Sequence, residues 1–401
     1  MAMNVADQAS GENFHAWNGD CVTVTRGIPD ASIDYTIFSP PFQSLYTFSD
    51  DPRDMSNCKT GQEFFEHFKF LITELYRVTK PGRLVSIHCM NLPTSKTRDG
   101  FIGISDFRGN IIRAFQGNET AELYSAMRHL RLRASMAKQD GDASRHAELT
   151  KMSQSIEDDL KAYPGMSGFH FHSEVMIRKD PVSAMQRSKA IGLLHKQVAK
   201  DSNLSRMAVP DTIITMFKPN DDFTDDPSCA HIITMRKPGD NEKPIAGPFD
   251  RYFGTESAES GPLKLESAFF GTRWVRPGDI DKGVDWFSVA VWQRYAEPVW
   301  MDIAQGDVLS RKEAREEKDE AHIAPLQLTP IRRCIDLWSN PGDTVFSPFA
   351  GIGSELYVAL QMGRKALGVE LKPSYFKQLV HNCKQAKVSQ EDIFSIAEKV
   401  S

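Results

Sequence analysis

Ser32-Ile33-Asp34-Tyr35-Thr36-Ile37-Phe38 runs directly into Ser39-Pro40-Pro41-Phe42. The first seven residues are β-rich, and two consecutive prolines cannot continue a central strand, so the chain leaves the sheet at Ser39. From Gly61 to Val78 the residues Phe64, Phe65, Phe68, Leu71, Ile72, Leu75 and Val78 recur at helical spacing. Lys80-Pro81-Gly82 stops that helix, and Arg83 to Cys89 reads as a buried strand. Strand, turn, helix, turn and strand in this order predict an α/β fold with a mostly parallel, helix-covered sheet of the Rossmann-like kind.

A second unit of the same kind lies near the other end. Ile331 to Leu337 reads as a helix, Asn340-Pro341-Gly342-Asp343 as a turn and Thr344-Val345-Phe346 as a strand. That strand opens into Ser347-Pro348-Phe349-Ala350-Gly351-Ile352-Gly353-Ser354, a helix follows through Leu360, and Arg364 to Glu370 supplies another strand. Glycines at a strand-to-helix turn let the backbone approach a ligand closely, and an acid ending the next strand can take two ribose hydroxyls. Glu370 stands 17 residues beyond Gly353, against the ~20 of nucleotide-binding α/β units. The third glycine of the dinucleotide fingerprint and the GK[ST] of a phosphate loop are both missing. The ligand therefore needs a ribose but no pyrophosphate, and S-adenosylmethionine fits.

Between these units the sequence changes character. Residues 118 to 165 predict a helical hairpin. Leu123, Met127 and Leu130 share one face, Met152, Ile156 and Leu160 another, and Gln139-Asp140-Gly141-Asp142 forms the turn. Its Arg128, Arg131 and Arg133 read as a solvated face or as DNA contacts. Phe169 to Ile177 regains strand character. Residues 219 to 310 are rich in Pro, Gly and Asp with weak periodicity, which suits a loop-rich recognition region. Arg311 to Glu320 is a mixed charge run. These shifts divide the chain into 14–117, 118–165, 166–218, 219–320 and 321–390.

Bulk properties exclude several classes. No apolar run approaches the ~18 residues that span a bilayer. The start, MAMNVADQASGEN, lacks the basic and apolar segments of a signal peptide, so a cytoplasmic location is expected. Six cysteines stand singly, without CxxC pairs or zinc spacing, which predicts free thiols and no metal. With a net charge of −5 over 401 residues, a polyanion must meet a local basic surface. Arg178 to Arg206 holds seven Lys/Arg against Asp180 and Asp201, and Arg178, Lys179, Arg187, Lys189 and Lys196 are the candidate DNA-binding residues.

Ser39-Pro40-Pro41-Phe42 together with the distant glycine loop resembles the amino-methyltransferases of DNA, which make N4-methylcytosine or N6-methyladenine, in the circular order called the beta group. That order puts the catalytic tetrapeptide first, target recognition in the middle and the cofactor loop last. The pattern covers Trp17 to Cys383 and is close to methylases of phages and prophages. The resemblance implies S-adenosylmethionine as cofactor and double-stranded DNA as substrate, and it admits a homodimer and a cognate restriction enzyme as partners. It gives catalytic roles to Ser39, Pro40, Pro41 and Phe42, with Phe42 and Tyr46 packing a flipped base. It gives cofactor roles to Phe349, Gly351, Gly353 and Glu370, and to Asp20 of Asn18-Gly19-Asp20-Cys21. Pro325 of His322-Ile323-Ala324-Pro325-Leu326-Gln327 closes over the methionine part. Three features depart from the family: Ser347 replaces the aspartate of the usual Asp-Pro-Phe, Leu326-Gln327 replaces a Lys-containing pair, and the 118–165 helices are additional. Ser-Pro-Pro usually accompanies N4 of cytosine and Asp-Pro-Pro N6 of adenine, so cytosine is expected and adenine is the alternative. A catalytically silent DNA-binding module, or an enzyme acting on RNA or a small molecule, are the readings from other classes.

Overall fold

The computed structural model describes residues 5–42, 48–94, 100, 103–162, 168–178, 210–218, 295–310 and 325–387. Nine strands form one sheet. In chain order they are β1 (Asp7–Ser10), β2 (Phe14–Asn18), β3 (Ile33–Phe38), β4 (Thr79–Met90), then, after a separate small pair β5 (Leu92–Thr94) and β6 (Gly103–Ser105), β7 (His170–Ile177), β8 (Asp211–Phe217), β9 (Val299–Trp300), β10 (Thr344–Ser347) and β11 (Lys365–Glu370). The sheet order is β1-β2-β11-β10-β3-β4-β8-β7-β9. Its centre, β2-β11-β10-β3-β4, is parallel throughout, and β1, β8 and β7 join antiparallel.

Helices α1 (Cys21–Arg26), α2 (Gly61–Val78), α3 (Phe107–Gln116), α6 (Leu328–Trp338), α7 (Ser354–Gln361) and α8 (Pro373–Gln385) cover the sheet, whereas α4 (Asn118–Gln139) and α5 (Ala143–Ala162) pack on each other. On one face, Phe64, Phe68, Leu71 and Leu75 of α2 pack against Phe38, Val85 and Ile87. On the other, Ile331 and Ile335 of α6 and Leu356 and Ala359 of α7 pack against Tyr35, Ile37 and Val345. Strand β3 is buried on both faces, all six residues from Ile33 to Phe38, including the polar Asp34 and Thr36.

Several sequence expectations are corrected. Helix α2 ends at Val78 as predicted, but Lys80-Pro81-Gly82 is no separate turn, because β4 begins at Thr79. Ile33 pairs with Thr79 and Tyr35 with Leu84, so the Pro-Gly step is absorbed as a register shift, with Gly82 at φ 73°. The C-terminal carbonyls of α2 are met by the Lys218 ammonium, which donates to Tyr76 and Thr79 oxygens at 2.6 Å each, a favourable place for a cation. The 118–162 helices pack through Ala134, Ala137 and Leu149, with Leu130 against them. Met152 is half exposed and stands outside that contact. Small residues at the contact let the two helices approach closely, and the side chains of Leu123 and Leu160 lie outside the described ones. Arg131 is bonded across the pair to Glu157 at 2.6 Å. Part of the region read as loop, 295–310, is tied to the sheet: β9 pairs with β7, and Trp300 is buried. Residues 219–294 and the charge run 311–320 lie outside the described residues.

Candidate active site

Strands β3 and β10 are neighbours, Val345 opposite Tyr35 and Phe346 opposite Thr36. From this pair the chain winds outward in both directions, to β4 on one side and to β11 on the other. That is the switch point at which open parallel sheets form a crevice beyond their carboxyl ends. Ser39 follows β3 and Pro348 follows β10, so two segments more than three hundred residues apart open into one pocket. Asp20, Ser39, Pro40, Pro41, Phe42, Pro325, Phe349, Gly351 and Glu370 line it together.

The cofactor-side wall is held by backbone bonds between strand ends. Asn18 donates its side-chain amide to the Glu370 and Leu371 carbonyls at 2.8 and 2.9 Å, and Gly19 N–H donates to Glu370 O at 3.1 Å. Ala350 N–H donates to Val369 O at 2.9 Å, which fixes the glycine loop over β11. The two Glu370 carboxylate oxygens accept from Gly351 N–H and Lys372 N–H, each at 2.8 Å. Burial pushes the Glu370 carboxyl up to about 7, against the lowering pull of those two bonds. Asp20 caps α1, with one oxygen accepting from Thr23 N–H at 2.8 Å and from the Thr23 hydroxyl at 2.7 Å. Phe349 sits against Phe38 and Phe68, ring centroids 5.7 and 6.5 Å away.

At the tetrapeptide, Pro40 and Pro41 are buried and Ser39 is half-buried. Phe42 does not stand free as a platform. It packs edge-on to Phe107 of α3, with centroids 6.1 Å apart, and leaves only part of its ring toward the pocket. Tyr46 and the basic residues Lys179, Arg187, Lys189 and Lys196 lie outside the described residues. Arg178 follows β7 and donates its backbone N–H to Trp300 O at 3.0 Å.

Two expected cofactor residues are not in the wall. Ser347 is fully buried as the last residue of β10, opposite Gly368, and its hydroxyl has no hydrogen-bond partner among the described residues. Gly353 is also buried. It begins α7 at φ 87°, and a Cβ there would stand 3.0 Å from Leu379 Cγ. Its role is close helix packing. Gly351, at φ 52°, faces the pocket, and a Cβ there would meet open space.

Sequence reasoning missed Arg53, Asp54, Ser354, Glu355, Lys372 and Tyr375, all in the lining. Glu355 lies in the first turn of the helix after the glycine loop, a position the loop itself pointed to. Burial pushes its carboxyl up to about 8, and nearby Glu370 adds to the rise. The fold also gathers Cys58, Glu63 and His67, with ligand atoms within 4.8 Å of one another, although their spacing matches no zinc pattern. Glu63 already accepts from Lys59 N–H at 2.8 Å, and the positive end of the α2 dipole opposes a cation there.

This lining fits S-adenosylmethionine. Asp20 and Asp54 line it together with Arg53 and Lys372, Arg53 is paired with Asp51 at 2.6 Å, and the Glu355 and Glu370 carboxyls, pushed up to about 8 and about 7, add oxygens that accept hydrogen bonds. Such a surface suits a ligand that brings hydroxyl and ammonium donors. The buried Ser354 hydroxyl faces the pocket with no hydrogen-bond partner among the described residues.

A glycine loop and a strand-ending acid that meet at the switch point of an α/β sheet define the class of nucleotide- and nucleoside-binding α/β proteins. The chain belongs to the N6/N4 DNA methylase family, whose model matches residues 33–381, and is an S-adenosylmethionine-dependent DNA methyltransferase. No curated protein sequence matches it. Among solved structures it is similar to TTHA0409 of Thermus thermophilus, assigned as a DNA modification methylase, at 16% identity over 94% of this chain and 96% of that one, with a TM-score of 0.46. It is also similar to the cytosine-N4-specific PvuII DNA methyltransferase, at 13% identity over 99% and 96%, with a TM-score of 0.49. A third is M1.HpyAVI in complex with SAM, at 11% identity over 92% and 98%, with a TM-score of 0.37. At these values the likenesses add no argument to the family match. No described helix is long and apolar enough to cross a membrane.

Proposed function

We propose that this methyltransferase acts on the N4 amine of a cytosine turned out of duplex DNA, and the observation that carries the reading is Ser39 as the first residue of the tetrapeptide at the pocket. An exocyclic amine is a poor nucleophile because its lone pair is delocalised into the ring. Acceptors aimed at its hydrogens favour rehybridisation, and the Ser39 hydroxyl oxygen and the Pro40 carbonyl are those acceptors. The two prolines hold them in place before substrate arrives. A paired base does not reach a pocket walled by Pro41 and Phe42, so the base leaves the stack.

Bound at the glycine-loop side, S-adenosylmethionine supplies a methyl group on a sulfonium, a good leaving group that makes a covalent enzyme intermediate unnecessary. Glu370 accepts from the ribose hydroxyls, Asp20 meets the adenine side, Phe349 gives the adenine an apolar face, Gly351 leaves room for close approach, and Pro325 closes over the methionine part. The basic segment beginning at Arg178 follows the DNA backbone, so binding weakens steeply with salt.

Nucleoside mass spectrometry of duplex DNA treated with the enzyme and cofactor tests the reading. N4-methylcytosine is expected, and N6-methyladenine without it overturns the choice of base. Ser39→Ala is expected to lower turnover with cofactor affinity kept, whereas Glu370→Ala does the reverse.

A further inference from the structure

We infer that Ser39 is not alone at the reacting amine but is the outer member of a buried chain, Ser39–His88–Asp211, in which His88 receives the proton the amine must lose. The inference rests on the amino-methylation reading above. The Ser39 hydroxyl oxygen lies 3.2 Å from His88 Nδ1 and 3.3 Å from the His88 backbone oxygen. On the far side of the ring, Nε2 lies 3.5 Å from an Asp211 carboxylate oxygen. His88 is 8% exposed and Asp211 4%, and Nε2 has no hydrogen-bond partner among the described residues. The ring is thus placed between one hydroxyl and one carboxylate by two neighbouring strands, β4 and β8. Among the described residues, Arg108 of α3 and Glu174 of β7 at this end of β4 are bonded to each other, and Asp106 also lies near.

Both acceptors offered to the single Ser39 hydrogen belong to residue 88, so the ring tautomer decides where that hydrogen goes. A carboxylate beside Nε2 favours the hydrogen on Nε2. Nδ1 is then bare and accepts from the Ser39 hydroxyl, and the Ser39 lone pairs are left for the amine hydrogen. After the amine nitrogen has taken the methyl group it carries a positive charge and one proton too many. Its N–H bond breaks as a new O–H bond forms at Ser39. The original Ser39 hydrogen passes to His88 Nδ1, and the imidazolium that results faces the Asp211 carboxylate. No atom or electron is left over, and the proton returns to solvent when product leaves. A serine hydroxyl is too weak a base for this step alone, and an imidazole is not. His88 and Asp211 act through Ser39 and are positioning residues.

Single-turnover methyl transfer, measured with saturating cofactor and DNA, tests the chain. His88→Asn is expected to slow the step by about a hundredfold, with cofactor affinity unchanged, and Asp211→Asn to slow it by less. In a Ser39→Ala background His88→Asn is expected to add nothing, because the link to the amine is already cut, whereas a merely structural His88 would lower the rate again by the same factor. An undiminished rate in His88→Asn, or losses that multiply in the double variant, overturns the inference. Nitrogen-15 NMR of the wild-type histidines, with His88→Asn assigning the signal, reads the tautomer directly, and a hydrogen on Nδ1 overturns it. If His88→Asn does not fold, Asp211→Asn carries the same double-variant comparison with Ser39→Ala. Failure of the underlying reading looks different, since wild-type enzyme would then form no methylated amino group at all.

Discussion

The backbone N–H of Gly351 donates to the Glu370 carboxylate at 2.8 Å, so the loop after β10 and the end of β11 hold each other in place. Lys372 N–H takes the other carboxylate oxygen at the same distance. Each oxygen keeps a second lone pair for a ribose hydroxyl. Burial pushes this carboxyl up to about 7, and only the ionised form accepts from two hydroxyls at once. Affinity for S-adenosylmethionine is therefore expected to rise as pH is raised from about 6 to about 8. Glu370→Gln should weaken binding by about tenfold or more and flatten the pH dependence. Calorimetric titration across that range checks both, and an unchanged slope in the variant counts against the role.

Glu355 gives a stability prediction of opposite kind. Its carboxyl is buried and pushed up to about 8 from an ordinary 4.5. At pH 4 both the folded and the unfolded chain keep this proton. As pH rises past 4.5 the unfolded chain loses it while the folded chain holds on, so the unfolded state is favoured progressively until about pH 8. The ligand-free protein is expected to lose stability between pH 5 and 8, and Glu355→Gln to reduce that loss. Melting temperatures measured in the two proteins over this range decide it, and parallel curves would remove Glu355 as the source.

Gly351 and Gly353 separate binding from packing. A methyl at 353 meets Leu379 Cγ at 3.0 Å and its backbone Cα at 3.3 Å, with φ at 87°, so both space and backbone resist it. Gly353→Ala is expected to destabilise the fold by about 1–3 kcal/mol. At Gly351 nothing lies within 4 Å of such a methyl, and only the positive φ costs, by about 1 kcal/mol. That methyl projects where the cofactor belongs, so Gly351→Ala should lose affinity out of proportion to stability. Denaturant unfolding and cofactor titration on both variants test the division.

The strand-proline boundary at Ser39 and the helix Gly61–Val78 were legible because local chemistry alone sets them. Apolar spacing writes the helix face, and two prolines end a strand wherever they fall. The partnership of Phe38 with Phe349 was legible only through the family pattern, since no local signal says that strand 344–347 lies beside strand 33–38. Ser347 shows what position in a motif omits: the motif does not say that this hydroxyl is fully buried at the end of β10. Phe42 shows the same for aromatics, because the edge contact with Phe107 depends on α3, a helix the sequence reading did not identify. His88 was read as a packed strand residue, which its burial supports, but its neighbours Ser39 and Asp211 come from strands joined only by the tertiary fold.

At the opposite end of the same strands, Arg83 makes the final prediction. Its guanidinium lies 3.0 Å from Asp343 and 3.4 Å from Asp34, and all three side chains are buried. Asp34 also accepts from Thr344 N–H at 2.9 Å and from Lys80 at 2.7 Å, and Asp343 from Asn340 N–H at 2.8 Å. The cluster therefore fastens the starts of β3 and β10 together, and so sets the register that brings Ser39 beside the glycine loop. Arg83→Met removes the buried cation that the two carboxylates share, while Asp34 keeps Lys80, at an expected cost of up to about 3–5 kcal/mol. Adding Asp343→Asn to it should return part of that loss, because one carboxylate that faced the guanidinium is then uncharged. Urea unfolding of the single and double variants measures the coupling. Simple additivity would mean that the two side chains hold the sheet independently. Folded Arg83→Met is expected to bind S-adenosylmethionine as wild type does, because no member of the cluster lines the pocket.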